Sequence, residues 1–203
     1  MANFVLIHGG WGGGWLWRPV AERLWRRGHC AFTPTLTGMG ERVHLLHRGL
    51  DYETWYTDVV NVIRFENLEQ VVLVGFSFGG IIVSGVAELI PERLSSLVYV
   101  DSLVPQDGQD MLDVGGAASE YVLEQVDNEG DGWLWIPTGE TEVRFVPQPC
   151  TEKMRNTRFR VRNPERLKLP CSYILCSEHE GGFGYVPKPD ELTDMLLEIA
   201  ARR

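Results

Sequence analysis

Apolar residues follow two rhythms along this chain, and their alternation predicts the architecture. Phe4 to Ile7 is an unbroken apolar run closed by His8-Gly9-Gly10, the mark of a strand buried on both faces. Pro19 can open a helix with Val20, Leu24 and Trp25 on its inner face. Cys30 to Thr33 reads as a second short strand stopped by Pro34, followed by the glycine-bearing loop Thr37-Gly38-Met39-Gly40-Glu41-Arg42. Between Asp51 and Phe65, the positions Tyr52, Trp55, Tyr56, Val59 and Ile63 have helical spacing. Val71 to Val74 predicts a third buried strand, Gly79 to Ile90 an apolar helix stopped by Pro91, and Leu97 to Val100 a fourth strand. Strands alternating with helices imply parallel pairing, right-handed crossovers and an α/β sheet wound on both faces.

From about Leu103 to Leu169 the rhythm is lost. Gly115-Gly116, Trp133, Trp135 and several prolines interrupt it, and the apolar content is too scattered for a core of its own. This stretch is expected to be a cap-like or irregular excursion from a single domain over residues 1–203. Tyr173 to Cys176 resumes the sheet. A last helix, Glu191 to Ala201, would carry Leu192, Met195, Leu196, Ile199 and Ala200 on one face.

Composition narrows the function classes. With 203 residues, 44% of them hydrophobic, the chain can bury a sizeable core. Its net charge of −9 supplies no broad cationic face for nucleic acid. The arginine clusters (Arg18, Arg23, Arg26, Arg27; Arg155, Arg158, Arg160, Arg162) read as solvated faces. No apolar run approaches the ~20 residues that span a bilayer, and Met1 to His8 lacks the basic start of a signal peptide. Cys30, Cys150, Cys171 and Cys176 lack zinc or redox spacing, which suggests reduced, mostly buried thiols and a cytoplasmic location. No metal-ligand spacing, phosphate loop or dinucleotide fingerprint occurs, so neither metal nor cofactor is expected. The expected partner is a small molecule, and a homodimer is left open.

The chemistry concentrates at Val71-Val72-Leu73-Val74-Gly75-Phe76-Ser77-Phe78-Gly79-Gly80. This is G-x-S-x-G between a strand and a helix. Such a serine sits on a sharp, strained turn above the sheet, and the flanking glycines let strand and helix approach it. The Phe78 N–H, at the helix N-terminus, then points at an oxyanion, and the Gly10 N–H in the loop after the first strand can supply a second donor. His8 reads as a hydrogen-bonder of its own turn. Trp11, Trp15 and Trp17 either line an apolar acyl pocket or pack the first helix, and Trp133 is a further candidate for the pocket wall.

The sequence resembles the α/β-hydrolases, and more narrowly the small esterase, hydroxynitrile-lyase and salicylate-binding-protein group. The resemblance rests on Phe4 through Trp11, Leu36 through Arg42, Val71 through Gly80, and Tyr99-Val100-Asp101-Ser102-Leu103-Val104-Pro105. It covers residues 3–110 well and 170–201 loosely. It implies an α/β-hydrolase fold, with Ser77 as nucleophile and the N–H groups of Gly10 and Phe78 as oxyanion hole. Hydroxynitrile lyases carry a hydroxyl residue at the place of Gly10, so ester hydrolysis through an acyl-serine is the implied reaction. Phe76 replaces the group's usual His before the nucleophile.

The fold's chain order, serine then acid then histidine, makes His179 the base, because no other His follows Ser77. The group's register opposes this. Only fourteen residues, Ser177 to Asp190, separate the strand from the last helix, too few for another helix and strand. Roughly thirty residues are absent relative to the group, a shortened C-terminal half. Three accounts stand: His179 serves through a rearranged loop, the base is lost and the protein binds a small molecule without catalysis, or a segment outside this sequence carries the base. Asp101, ending the fourth strand at the sheet's carboxyl edge, is the expected acid, with Glu178 the alternative.

Overall fold

The computed structural model describes residues 1–137, 144–177 and 188–202. Its framework is a five-stranded parallel sheet: β1 (Asn3–Ile7), β2 (Cys30–Phe32), β3 (Val71–Phe76), β4 (Leu94–Val100) and, after two short strands, β7 (Cys171–Ile174), in the order β2-β1-β3-β4-β7. Four helices cover it: α1 (Arg18–Arg26), α2 (Tyr52–Phe65), α3 (Gly79–Leu89) and, late in the chain, α7 (Pro189–Ala201). None of the described helices is long and apolar enough to cross a membrane.

The central strands β1, β3 and β4 are mostly apolar because both their faces are covered. Val5, Ile7, Val71, Leu73, Leu97 and Tyr99 point to the α2–α3 side, around the fully buried Trp55. Phe4, Leu6, Val72, Val74, Val98 and Val100 point to the α1–α7 side, around the fully buried Trp17 and Leu24. Each such aliphatic side chain contributes about 1.5–3 kcal/mol when taken fully out of water. Asp51 fixes the start of α2, its carboxylate accepting the Thr54 N–H at 2.9 Å. Arg23 pairs with Asp190 and Arg27 with Asp194, joining α1 to α7 at the surface.

Several expectations need correction. Trp25 is 52% exposed, because its indole N–H reaches back to the Ala31 carbonyl at 3.1 Å and leaves much of the ring in solvent. Met195 is 45% exposed, off the α7 face formed by Leu192 and Leu196. The last strand runs over Cys171–Ile174, earlier than the apolar run suggested, since register with Leu97–Val100 fixes it. All four cysteines are free, but only Cys150 is buried.

The stretch after β4 holds more regular structure than its sequence suggests. It forms α4 (Met111–Gly115), α5 (Ala117–Asn128), the antiparallel pair β5 (Leu134–Trp135) and β6 (Gln148–Pro149), and α6 (Glu152–Asn156). Asp110 starts α4 with a capping box and Thr151 starts α6 by accepting the Met154 N–H. Met154 enters the α2–α3 core, so this stretch packs onto the sheet domain.

Candidate active site

Strand order reverses between β1 and β3, and open α/β sheets build their sites in the crevice beyond the carboxyl ends of such strands. Ser77 lies there, one residue past β3, with φ 51°, a left-handed conformation that a non-glycine residue adopts at a cost of about 1–3 kcal/mol. Its peptide groups are held on every side. The Ser77 N–H donates to the Val100 carbonyl at 3.1 Å, and the Ser77 carbonyl accepts from the Ser102 hydroxyl (2.6 Å), Leu103 N–H (3.0 Å) and Gly80 N–H (3.3 Å). The neighbouring glycines are sterically required. A Cβ on Gly75 would lie 2.7 Å from the Gly79 carbonyl, and one on Gly79 would lie 2.8 Å from the Ile7 and His8 carbonyl oxygens. Phe78 caps α3 without a side-chain hydrogen bond, so the helix N-terminus faces the serine with backbone donors only.

The loop after β1 meets this turn edge to edge. A Cβ on Gly9 would lie 3.2 Å from Ser77 Cβ and 3.2 Å from the Phe76 ring. Beyond Gly10 the chain makes a γ-turn closed by Gly12 N–H to the Gly10 carbonyl at 2.7 Å, with Trp11 at φ 60°. His8 anchors the loop from below. Fully buried, it donates from Nδ1 to the Gly9 carbonyl at 2.8 Å and accepts the Leu36 N–H at Nε2 at 3.1 Å. Those roles require the neutral ring, and burial pushes its pKa down to about 4.

An imidazole that takes its proton near 6.5 when unfolded and near 4 when folded contributes about 3 kcal/mol at neutral pH. The unfolded chain binds the extra proton, so this stability is complete above pH 6.5 and is lost as pH falls through about 4. Urea unfolding from pH 7 to 4 should show that loss. The His8→Gln variant should be less stable at pH 7 yet lack this part of the slope; parallel slopes would refute it.

The excursion closes over the same loop. The Val146 N–H donates to the Trp11 carbonyl at 3.0 Å, the Trp11 indole N–H donates to the Trp135 carbonyl at 3.0 Å, and the two indole rings pack 4.2 Å apart. The buried Gln148 accepts the Trp11 N–H at 3.3 Å through Oε1. Trp15 packs on Phe145, with the Arg144 guanidinium 3.9 Å from its ring centre. Thus Trp11, Trp15, Trp135, Leu16 and Phe145 make one apolar cluster beside Gly10. Trp133 is not in it: its ring lies under Arg48, 5.3 Å from the guanidinium carbon. Trp17 packs edge-on against Phe76 within the α1–α7 core.

Asp101 follows β4 with φ 42°, its N–H bound to the Ile174 carbonyl at 2.8 Å. Burial, and next the Asp101 charge, raise the Cys176 thiol pKa, which places that carboxylate toward the exit of β7. Ser102 is pinned there by the Tyr173 hydroxyl, which accepts its N–H (3.0 Å) and donates to its carbonyl (3.2 Å). His179 and Glu178 lie outside the described residues. Ser102, Tyr173 and Gln148 had no assigned role in the sequence. Ser102 had a signal, its place directly after a buried strand's polar end; Gln148 had none, since 137 positions separate it from Trp11.

Comparison with known proteins agrees with this geometry. The model of the "Alpha/beta hydrolase family" matches residues 4–193. The chain is 46% identical over 112 residues to a carbendazim hydrolyzing esterase of Nocardioides sp. (strain SG-4G), covering 55% of this chain and 46% of that protein. It is 25% identical over 185 residues to salicylic acid-binding protein 2 of Nicotiana tabacum, covering 85% of this chain and 66% of that one. An extracellular alpha/beta-hydrolase from a Paenibacillus species superposes with a TM-score of 0.80 at 22% identity, over the whole of both chains. The matched part thus spans about half the length of the carbendazim esterase.

Proposed function

The chain belongs to the alpha/beta hydrolase family, and on that premise we propose that it is a serine esterase cleaving small carboxylic esters through an acyl-serine. The observation that carries this reading is the elbow: Ser77 held at φ 51° by four hydrogen bonds to its own peptide groups, above a turn that admits only glycine on either side. Strain fixed this firmly has a use if it exposes a nucleophile. The name of the 46%-identical relative, an esterase, supports the same reaction.

In this reading Ser77 Oγ attacks the ester carbonyl and His179 takes its proton. Asp101 holds the imidazole in the right tautomer, and the Gly10 and Phe78 N–H groups receive the developing oxyanion. The alcohol leaves with the proton from His179. Water, deprotonated by the same ring, then releases the acid and restores Ser77, so ester plus water gives acid plus alcohol. The second reading, a non-catalytic small-molecule receptor on this scaffold, draws on the short connection from Ile174 to Pro189, which limits where a base can come from.

The indole cluster beside Gly10 makes the acyl side apolar, and Arg144 already covers one face of Trp15. A cationic substrate would meet that charge and lose its water without a partner. Phenyl acetate should therefore be hydrolysed at least tenfold faster, in kcat/KM, than acetylcholine. Measurable binding of both esters with turnover of neither would favour the receptor, and faster turnover of the choline ester would refute the apolar acyl site.

A further inference from the structure

Three donors grip the Ser77 carbonyl: the Ser102 hydroxyl at 2.6 Å, the Leu103 N–H at 3.0 Å and the Gly80 N–H at 3.3 Å. The first is the shortest and, among the described residues, the only side chain of the three. A peptide group is planar and trans, so its carbonyl and the following N–H point in opposite directions. Holding the Ser77 carbonyl therefore aims the Phe78 N–H, which lies in the same plane. Ser102 is itself held. It is 8% exposed, and a Cβ on Gly80 would lie 2.2 Å from its Oγ, so the turn after β4 is pressed onto the start of α3. Its own peptide groups lie past the register of β4 with β7, which ends at Val100 and Ile174. The Tyr173 hydroxyl takes both of them instead, the N–H at 3.0 Å and the carbonyl at 3.2 Å.

We infer that Ser102, braced by Tyr173, is a positioning residue that sets the direction of the Phe78 N–H toward the oxyanion. The inference rests on the esterase reading, which makes that N–H a donor in the reaction. Ser102 acts through one peptide plane. Its hydrogen bond to the carbonyl also polarises the peptide and strengthens the N–H as a donor. An oxyanion donor counts most where charge develops, so slackening its direction costs the transition state more than the bound ester. Ser102→Ala leaves the Leu103 and Gly80 N–H groups on the carbonyl, so no acceptor is orphaned and the elbow keeps its fold. The loss should be about tenfold, the worth of one hydrogen bond, against roughly 10²–10³-fold for deleting an oxyanion donor outright.

The test compares two ketones of similar shape, acetophenone and its analogue fluorinated on the methyl group, trifluoroacetophenone. Ser77 Oγ adds to the carbonyl carbon of the fluorinated ketone, its proton passing to the base and the carbonyl electron pair to oxygen, which places an oxyanion on the proposed donors. Acetophenone binds without adding. Fluorine NMR detects the adduct, and tryptophan fluorescence gives both dissociation constants. In Ser102→Ala the preference for trifluoroacetophenone should fall about tenfold, and kcat for phenyl acetate should fall with it at unchanged KM. Tyr173→Phe should move both in the same direction by severalfold; Tyr173 is 53% exposed, so the core does not depend on it. An unchanged ratio of the two dissociation constants in Ser102→Ala, however much both weaken, overturns the inference, because a merely structural role moves both alike. A fall in Ser102→Ala with none in Tyr173→Phe keeps Ser102 and overturns the brace. Should Ser102→Ala not fold, the ratio in Tyr173→Phe decides alone. Adduct formation by the parent without ester turnover counts against the esterase reading and leaves the ratio to judge this inference; no adduct at all overturns both.

Discussion

Ser77→Ala is expected to reduce ester turnover on the order of 10⁴–10⁶-fold and to abolish labelling by a fluorophosphonate probe, with the fold intact. The residual rate would come from binding and the two backbone donors, which the substitution leaves in place. The fold should survive because the elbow is held through the peptide groups of Ser77, which alanine also has: the N–H to Val100 and the carbonyl to Ser102, Leu103 and Gly80. Ser77→Gly separates the two consequences further. Glycine adopts φ 51° without the Cβ penalty, so this variant should be inactive yet more stable than the parent by about 1 kcal/mol. Gain of stability with loss of function is the signature of strain kept for chemistry. Equal probe labelling of Ser77→Ala, or turnover within tenfold of the parent, would remove Ser77 as nucleophile.

The sheet was legible because parallel strands covered on both faces read as continuous apolar runs. Val71 to Phe76 is buried at every position, and Gly75, Ser77 and Gly79 then punctuate a strand-to-helix turn with the spacing of an elbow. The errors came where one residue serves two surroundings. Trp25 has a large apolar ring and one polar atom, and the bond to Ala31 decided its orientation over helical spacing. The helices after β4 were illegible because they are short or present few buried positions: only Ser119 and Val126 are buried along α5. Of these, α4 and α6 begin at caps, Asp110 and Thr151, rather than at apolar repeats. The wall of the site was illegible for a different reason. Trp135, Val146 and Gln148 meet Trp11 by hydrogen bonds across more than a hundred positions, and no local pattern encodes such a pairing.

His179→Ala is expected to remove the rising limb of the pH–rate profile and most of the rate. A neutral imidazole is needed to accept the Ser77 proton, so parent activity should rise through an apparent pKa of roughly 6 to 7 as the ring loses its proton. In the proposed triad Asp101 would serve it; its charge acts on Cys176, and its backbone N–H is bound to the Ile174 carbonyl at the end of β7. Two histidines then titrate over overlapping ranges with different consequences. Protonation of His179 would stop catalysis in a folded protein, whereas the stability linked to His8 is lost as pH falls from 6.5 through about 4. Rates and tryptophan fluorescence recorded on the same samples separate them, because only unfolding exposes the buried Trp17 and Trp55. The expected result is a fall in rate between pH 7 and 5.5 at constant fluorescence in the parent, and a low, flat rate over that range in His179→Ala. A variant as active as the parent, with the same pH dependence, would mean that the proton of Ser77 goes to a group other than His179.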